Sequence, residues 1–425
     1  MHTDSSARQD SVIVAADRPV YDPFSWELHE DPYPVYAWMR ENEPVYRNEE
    51  RDFWALSRHE DVLSALRSPK LFSNRNGISL ETELWGPEAY KTSFFLAMDP
   101  PEHGRLRTLV SSGFTARHVT GQEARIRRMA RDRLLPLLEQ GEFDFAGDYA
   151  AALPNDIVCD MVGIPAADWD LIRADTDMLN MRGDGEEDRP AGSVQAALRL
   201  ASYFVAHVTE LRRSPGHDLT SHLLDVRVKG RALSDSEIVA FLFLLITAGN
   251  ESTGKVIGNA WYHGWLHPDV KRAGLEHRPD DWTMETLRYD SASQMVARTV
   301  TEDTVLHDVL LPEGSRVAIL PASGNRDRRV FSDPDRFDLD RDTSQLISFG
   351  HGPHYCLGAA LAKLEIKIAL EEIGARISDY DIDMTYARRV HSPHQRGYAV
   401  LPTSVTLRDK PRDLPEVPDL TGPYS

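Results

Sequence analysis

The ten residues Phe349-Gly350-His351-Gly352-Pro353-His354-Tyr355-Cys356-Leu357-Gly358 constrain this chain more than any other stretch. Three glycines and a proline make a bent loop, and the apolar residues that follow (Ala359, Leu361, Ala362, Leu364, Ile366) have helical spacing. Cys356 therefore stands where a loop feeds a helix N-terminus. Unpaired N–H groups and the helix dipole favour a thiolate there, so the sulfur is expected to be deprotonated. Glycines let the backbone approach a flat ligand closely and offer N–H groups to the sulfur. A soft anionic sulfur suits iron, and its electron donation helps O–O cleavage. Two other readings compete. One is an inert buried thiol, the commoner fate of a free cysteine. The other is a metal site built from His351, His354 and Cys356, which lacks a fourth ligand at a usual spacing.

The second cysteine, Cys159, lies in the apolar helical pattern Leu153–Cys159 and is read as core. Two cysteines cannot build a disulfide framework or a four-cysteine zinc site, and the count suits a reducing compartment. A formal net charge of −19 disfavours a nucleic-acid binder, which needs a basic face. The first twenty residues carry no signal-peptide pattern, and the longest apolar run, Ile238–Ala248, is too short to span a bilayer. The expectation is a cytoplasmic protein without a membrane anchor, and a monomer.

No internal repeat or long linker divides the chain. The sequence reads as helical from about residue 100 to 290, with β-like segments at Asp52–Leu56 and Val305–Leu320, the latter turning at Pro312-Glu313-Gly314. His59–Ser68 reads as a helix, and so does Gly358–Ile377. Ser234–Leu266 reads as one helix of roughly 30 residues, about 45–50 Å long. Ser234 and Glu237 form a capping-box start, and Pro268 lies just past its end. The polar stretch Arg182–Pro190 is a solvated connection or a lid.

The Cys356 loop resembles the haem-binding loop of cytochromes P450, with Phe349, Gly350, Gly352, His354, Cys356 and Gly358 in the matching positions. Other motifs follow in the family's order. Glu285 and Arg288 match its Glu-x-x-Arg helix, whose side chains share a face at i, i+3, and Arg336 matches the third member of its buried triad. This trio is expected to hold the thiolate loop. His103, Arg107, Arg298 and His354 match the partners of the haem propionates, a task suited to forked, charge-assisted hydrogen bonding. Ala248-Gly249-Asn250-Glu251-Ser252-Thr253, midway along the long helix, resembles the oxygen-activation motif. Ala248 and Gly249 would lie against the haem, with the helix locally widened there. Glu251, Ser252 and Thr253 would deliver protons. Serine stands at 252 where the family usually has threonine, keeping the hydroxyl but losing the methyl that fixes its rotamer.

The resemblance spans about Tyr21 to Leu407. It implies a mainly α fold with a smaller β-rich lobe, the cytochrome P450 fold, as one domain over 21–407. A flexible tail (1–20) and an irregular one (408–425) would flank it. It implies a haem–thiolate monooxygenase of the soluble bacterial type, with haem b ligated by Cys356, O2 as co-substrate and a hydrophobic small-molecule substrate. Electrons would come from NAD(P)H through a separate ferredoxin reductase and ferredoxin, since no such module is fused in this chain. The Arg-rich run Arg125–Arg133 would dock the ferredoxin or be a solvated helix face. By analogy Leu244, Thr247, Ala248, Gln294 and Val296 line the substrate pocket, with the segment His394–Gln395. Trp85, Phe94 and Phe95 point to a hydrophobic guest or simply pack. A peroxide-driven enzyme and a non-catalytic haem sensor are the competing classes.

Overall fold

The computed structural model describes residues 18–180, 191–415 and 417. Most of the expected N-terminal tail and the polar stretch 182–190 therefore lie outside the described residues.

The β-rich lobe forms around a five-stranded sheet. Its strands run in the order Val45–Asn48, Phe53–Leu56, Arg316–Ile319, Val296–Val300, Phe72–Ser73. The one parallel pairing sets Trp54 beside Val317 and Leu56 beside Ile319, joining segments from opposite ends of the chain. Tyr21, Tyr36, Tyr46 and Phe53 pack on one face of this lobe, and Val62, Leu66, Val300 and Ile319 form a second cluster. The Val305–Leu320 interval holds three strands, Thr304–Leu306, Val309–Leu311 and Arg316–Ile319. Its extra turn is made by His307 and Asp308 at φ of 49° and 62°. A His-Asp pair carries little of the turn signal that Asn-Gly would, so the sequence showed only the proline turn.

The long helix is Asp235–Leu266, with the Ser234–Glu237 capping box formed in both directions. It packs against the helices Ala152–Met161, Ala191–Arg213, Pro268–Glu276, Pro279–Tyr289 and Ala359–Arg376, and so runs through the middle of the helical lobe. We refer to it as the central helix. A Cβ on Gly254 would fall 2.7 Å from the Ala150 carbonyl, so this glycine lets the π-helical turn Phe145–Ala151 rest against it. Trp261 is fully buried between Phe145 and Tyr380, with ring centroids 4.3 and 3.4 Å away. Cys159 is buried, as expected.

Residues 408–412 have no regular structure, but they are docked rather than loose. Arg408 Nε donates to the Gly374 carbonyl at 2.8 Å, and Arg412 Nη2 donates to the same carbonyl at 2.6 Å. Among the described residues no helix is long and apolar enough to cross a membrane.

Candidate active site

The Cys356 loop takes its shape from its glycines. Gly350 and Gly352 both have φ of +68°, and a Cβ on Gly352 would sit 2.6 Å from the Leu66 carbonyl. The Cys356 N–H donates to the Phe349 carbonyl at 2.9 Å, and Tyr355 N–H donates to Gly352 O at 3.1 Å. Gly358 is the N-cap of the helix Ala359–Arg376, and its N–H donates to the Cys356 sulfur. Cys356 is accessible, yet its sulfur is strongly desolvated, which places it on the wall of a recess rather than on the outer surface. Burial pushes its thiol up, against the Gly358 N–H and the Arg107 charge.

His351 takes no part in a metal cluster with Cys356. Its Nδ1 accepts from Gly352 N–H at 2.8 Å, and its ring faces the Arg67 guanidinium at 3.0 Å. The zinc reading is thereby overturned.

Glu285 and Arg288 meet as expected, both buried, with Arg288 Nη2 to Glu285 Oε1 at 2.6 Å. Arg288 Nη1 also donates to the carbonyls of Asn325 (3.0 Å) and Pro334 (2.8 Å). The Asn325 side chain reaches Ser348 Oγ at 2.6 Å and accepts from Ile347 N–H at 3.0 Å. The pair thus holds the segment that leads directly into Phe349.

Arg336 is not the third charged member. Its side chain is 67% exposed and only 3.8 Å from Asp338, and just its backbone carbonyl meets Arg288. Arg341, 7% exposed, donates from Nε to Glu285 Oε1 at 3.1 Å and occupies that role. Sequence reasoning missed it because nothing local marks which arginine in Asp335-Arg336-Phe337-Asp338-Leu339-Asp340-Arg341 turns inward.

Four basic side chains converge beside Cys356. His103 and His354 lie with ring centroids 3.9 Å apart. Both ring nitrogens of His354, and Nε2 of His103, are buried without a hydrogen-bond partner. Burial, aided by Arg107, pushes His103 down to about 4. Burial together with Arg298, His103 and Arg107 pushes His354 to about 2. Burial lowers Arg298 to about 10, and its one hydrogen bond goes to the carbonyl of its neighbour Ala297. Asp99 lies close enough to be felt by Arg298 and His103, but it accepts from Ser73 Oγ and Asn74 N–H. Buried polar groups without partners, and buried arginines without a counter-charge, are costly and are expected where a ligand brings the anions. A flat iron-bearing group with two carboxylates fits this donor set, with Cys356 for the iron and Arg107, Arg298, His103 and His354 for the carboxylates. Phe349 sits partly buried at the loop's start under the Lys363 ammonium, 5.2 Å from its ring.

On the central helix, Leu244, Ala248 and Ser252 recur every fourth residue and share one face, with Thr247 and Glu251 beside it. Ala248 is exposed although the helix runs through the core, so this face borders open space. Gly249 points elsewhere: a Cβ there would make ordinary contact with Val158, 3.6 Å away. Thr253 is buried and bonds the Gly249 carbonyl at 3.2 Å. One residue beyond Ser252 turns it by about 100°, away from the open face. The helix runs without a break from Asp235 to Leu266. Its hydroxyls bond back to carbonyls four residues earlier, Ser252 to Ala248 O at 3.3 Å.

Of the other pocket candidates, Val296 shares a strand face with Arg298. Gln294 is occupied elsewhere, donating to Ser291 O at 2.6 Å and accepting from Tyr36 Oη at 3.2 Å. Phe94 and Phe95 are core, and Trp85 packs against the aromatic cluster of the β-rich lobe, so these three take the packing reading. The arginine run is largely paired within the chain. Arg127 bonds Glu371 at 2.7 Å, Arg131 bonds Glu372 at 3.3 Å, and Arg125 and Arg133 pair with Asp160 and Asp156.

Comparison with known proteins agrees with this geometry. Residues 281–400 match the family model described as Cytochrome P450. The chain is 45% identical over 401 residues to "Putative cytochrome P450 123" of Mycobacterium tuberculosis, covering 94% of this chain and all of the relative. It is 35% identical to the "Vitamin D(3) 25-hydroxylase" of Pseudonocardia autotrophica, covering 84% and 88% of the two chains. Among solved structures, cytochrome P450 CYP109Q5 from Chondromyces apiculatus superposes with a TM-score of 0.81 at 31% identity, covering 91% and 98%. CYP109E1 from Bacillus megaterium, in complex with corticosterone, gives 0.78 at 29% identity, covering 89% and 99%.

Proposed function

Because the chain belongs to the cytochrome P450 family and is a haem monooxygenase, we propose that it inserts one oxygen atom from O2 into a hydrophobic small molecule, by hydroxylation or epoxidation. Electrons come from a separate ferredoxin and its NAD(P)H-dependent reductase. The observation that carries this reading is the gathering of four basic side chains near an accessible cysteine at a helix N-terminus, with His103 and His354 leaving buried ring nitrogens unpartnered and no carboxylate bonded to Arg107 or Arg298.

Haem b supplies the oxygen-activating redox chemistry that no side chain provides. Cys356 would hold the iron, with the Gly358 N–H orienting and tempering its sulfur. Arg107, Arg298, His103 and His354 would hold the propionates. Ala248, on the exposed face of the central helix, would border the group without obstructing it. The Glu251 carboxyl takes up protons from solvent and passes them to Ser252, whose Oγ gives up its bond to the Ala248 carbonyl to donate toward the open face. Leu244 and Thr247 shape the space beside it. The vitamin D(3) 25-hydroxylase relative and the corticosterone complex support a largely hydrocarbon substrate.

The reduced CO adduct of the holoenzyme is expected to show the long-wavelength band that names the family, and Cys356→Ser to lose it. An ordinary haem spectrum from the unaltered protein would overturn the reading. Ser252→Ala is expected to lower product formed per NAD(P)H consumed on the order of 10²-fold, and Ser252→Thr to keep or raise it. Turnover with H2O2 alone that matches turnover with ferredoxin and reductase would favour a peroxygenase.

A further inference from the structure

A cavity of about 1050 Å³ lies between the helices Trp26–Glu30 and Trp169–Asn180, the middle of the central helix, and the strands Arg388–Arg389 and Tyr398–Val400. Glu251 lines it, with Lys255 one turn on. Arg389 lines it too, and its side chain is only 9% exposed. Its guanidinium makes no hydrogen bond among the described residues. Nη1 is buried without a partner, and the Glu30 carboxylate stays 3.9 Å from Nε. The rings of Tyr398 and Tyr262, 4.3 and 5.5 Å away, offer the cation π faces but no acceptor. Asp290, which feels its charge, is already bound by Arg396 at 2.8 Å and His263 at 2.9 Å. A buried guanidinium whose Nη1 finds no acceptor among the described residues is a fork for an oxyanion.

We propose that this cavity binds a small organic anion, a carboxylate or phosphate ester. Arg389 receives the head group, and Lys255 is the second cation. Six carboxylates also line the cavity, Glu27, Glu30, Asp148, Asp170, Asp177 and Glu251; of these, Asp170 lies 3.3 Å from Arg173, and burial favours the protonated form of Asp177. Trp26, Ala146, Ala174 and Met384 give the carbon body an apolar surface. Because Glu251 belongs to the same wall, a ligand held by Arg389 lies against the proton-delivery segment. The occupant is then either an acidic substrate or a free anion acting beside one. The binding part of this inference does not depend on the monooxygenase reading. Its coupling to Glu251 does.

The test is calorimetric titration of the holoenzyme with 3-phenylpropionate, 3-phenylpropan-1-ol and inorganic phosphate. The acid is expected to bind about ten-fold or more tightly than the alcohol, and Arg389→Gln to bring the two close to parity. Arg389→Lys is expected to keep part of the preference, which separates charge from loss of folding, as does an unchanged melting temperature. Equal binding of acid and alcohol, or a preference that survives Arg389→Gln, overturns the proposal. A shift of the haem spin state by the acid supports a substrate-borne anion, and competition by phosphate without such a shift supports a free one. A normal reduced-CO spectrum in Arg389→Gln keeps any failure here distinct from failure of the haem–thiolate reading.

Discussion

At the scale of single residues, burial decides the charge of most groups around the site, and it does so against local expectation. Cys356 sits at a helix N-terminus, where burial pushes its thiol up against the Gly358 N–H and the Arg107 charge that favour a thiolate. Glu365, nine residues on, is a stronger case. It is fully buried, Oε2 has no partner, and desolvation alone pushes its carboxyl well up. The folded protein holds this proton to higher pH than the unfolded chain, which loses it near the ordinary carboxylate range. The stability from this group is therefore complete at acid pH and falls as pH rises through that range. Glu365→Gln should raise stability by about 1 kcal/mol or more at pH 7 and leave it unchanged at pH 4, as read by urea unfolding of the holoenzyme at both pH values. An equal gain at both would mean that the carboxyl is ionised in the fold.

At the scale of elements, the Glu285–Arg288 pair acts at a distance. It binds the loop after Asn325 and, through the Asn325 side chain, the residues Ile347-Ser348 that enter the cysteine loop. The i, i+3 spacing of Glu285 and Arg288 was legible because both lie on one helix. Arg341 was not, since its partner is 56 residues away and only the path of the loop brings it back. Arg341→Ala should cost about 3 kcal/mol by leaving Glu285 underpaired in the interior, whereas Arg336→Ala should stay within about 0.5 kcal/mol. Chemical denaturation of the two variants checks this. The reverse order would restore Arg336 to the triad.

At the scale of the molecule, Asp290 ties three distant parts together. It accepts from Tyr33 Oη at 2.8 Å near the N-terminus, from the central-helix residue His263 at 2.9 Å, and from Arg396 at 2.8 Å near the C-terminus. Arg396, the first of its cationic neighbours, and Arg389 hold its carboxyl well below the ordinary range. Its contribution is lost only in strong acid. His263 is pushed down by burial, with Arg326 and Arg389 adding repulsion against the pull of Asp290. A histidine held neutral in the fold binds fewer protons than its unfolded form below about pH 6.5. Its contribution is thus full above that pH and declines as pH falls beneath it. Melting temperature should drop between pH 7 and 5, and His263→Gln should flatten that drop. An unchanged slope in the variant would place the sensitivity elsewhere.

The sequence by itself determined the cofactor-bearing loop, the central helix with its capping box, and the order of motifs that places the chain among cytochromes P450. Each is a local pattern, in which glycine φ, helical period or i, i+3 spacing is written within a few residues. Tertiary structure alone decided which of several arginines turns inward, and that the basic run from Arg125 is largely paired. It alone left Arg389 buried without an acceptor. Those outcomes depend on what lies opposite a side chain, and the opposing residues come from segments tens to hundreds of positions away, joined only when the chain folds.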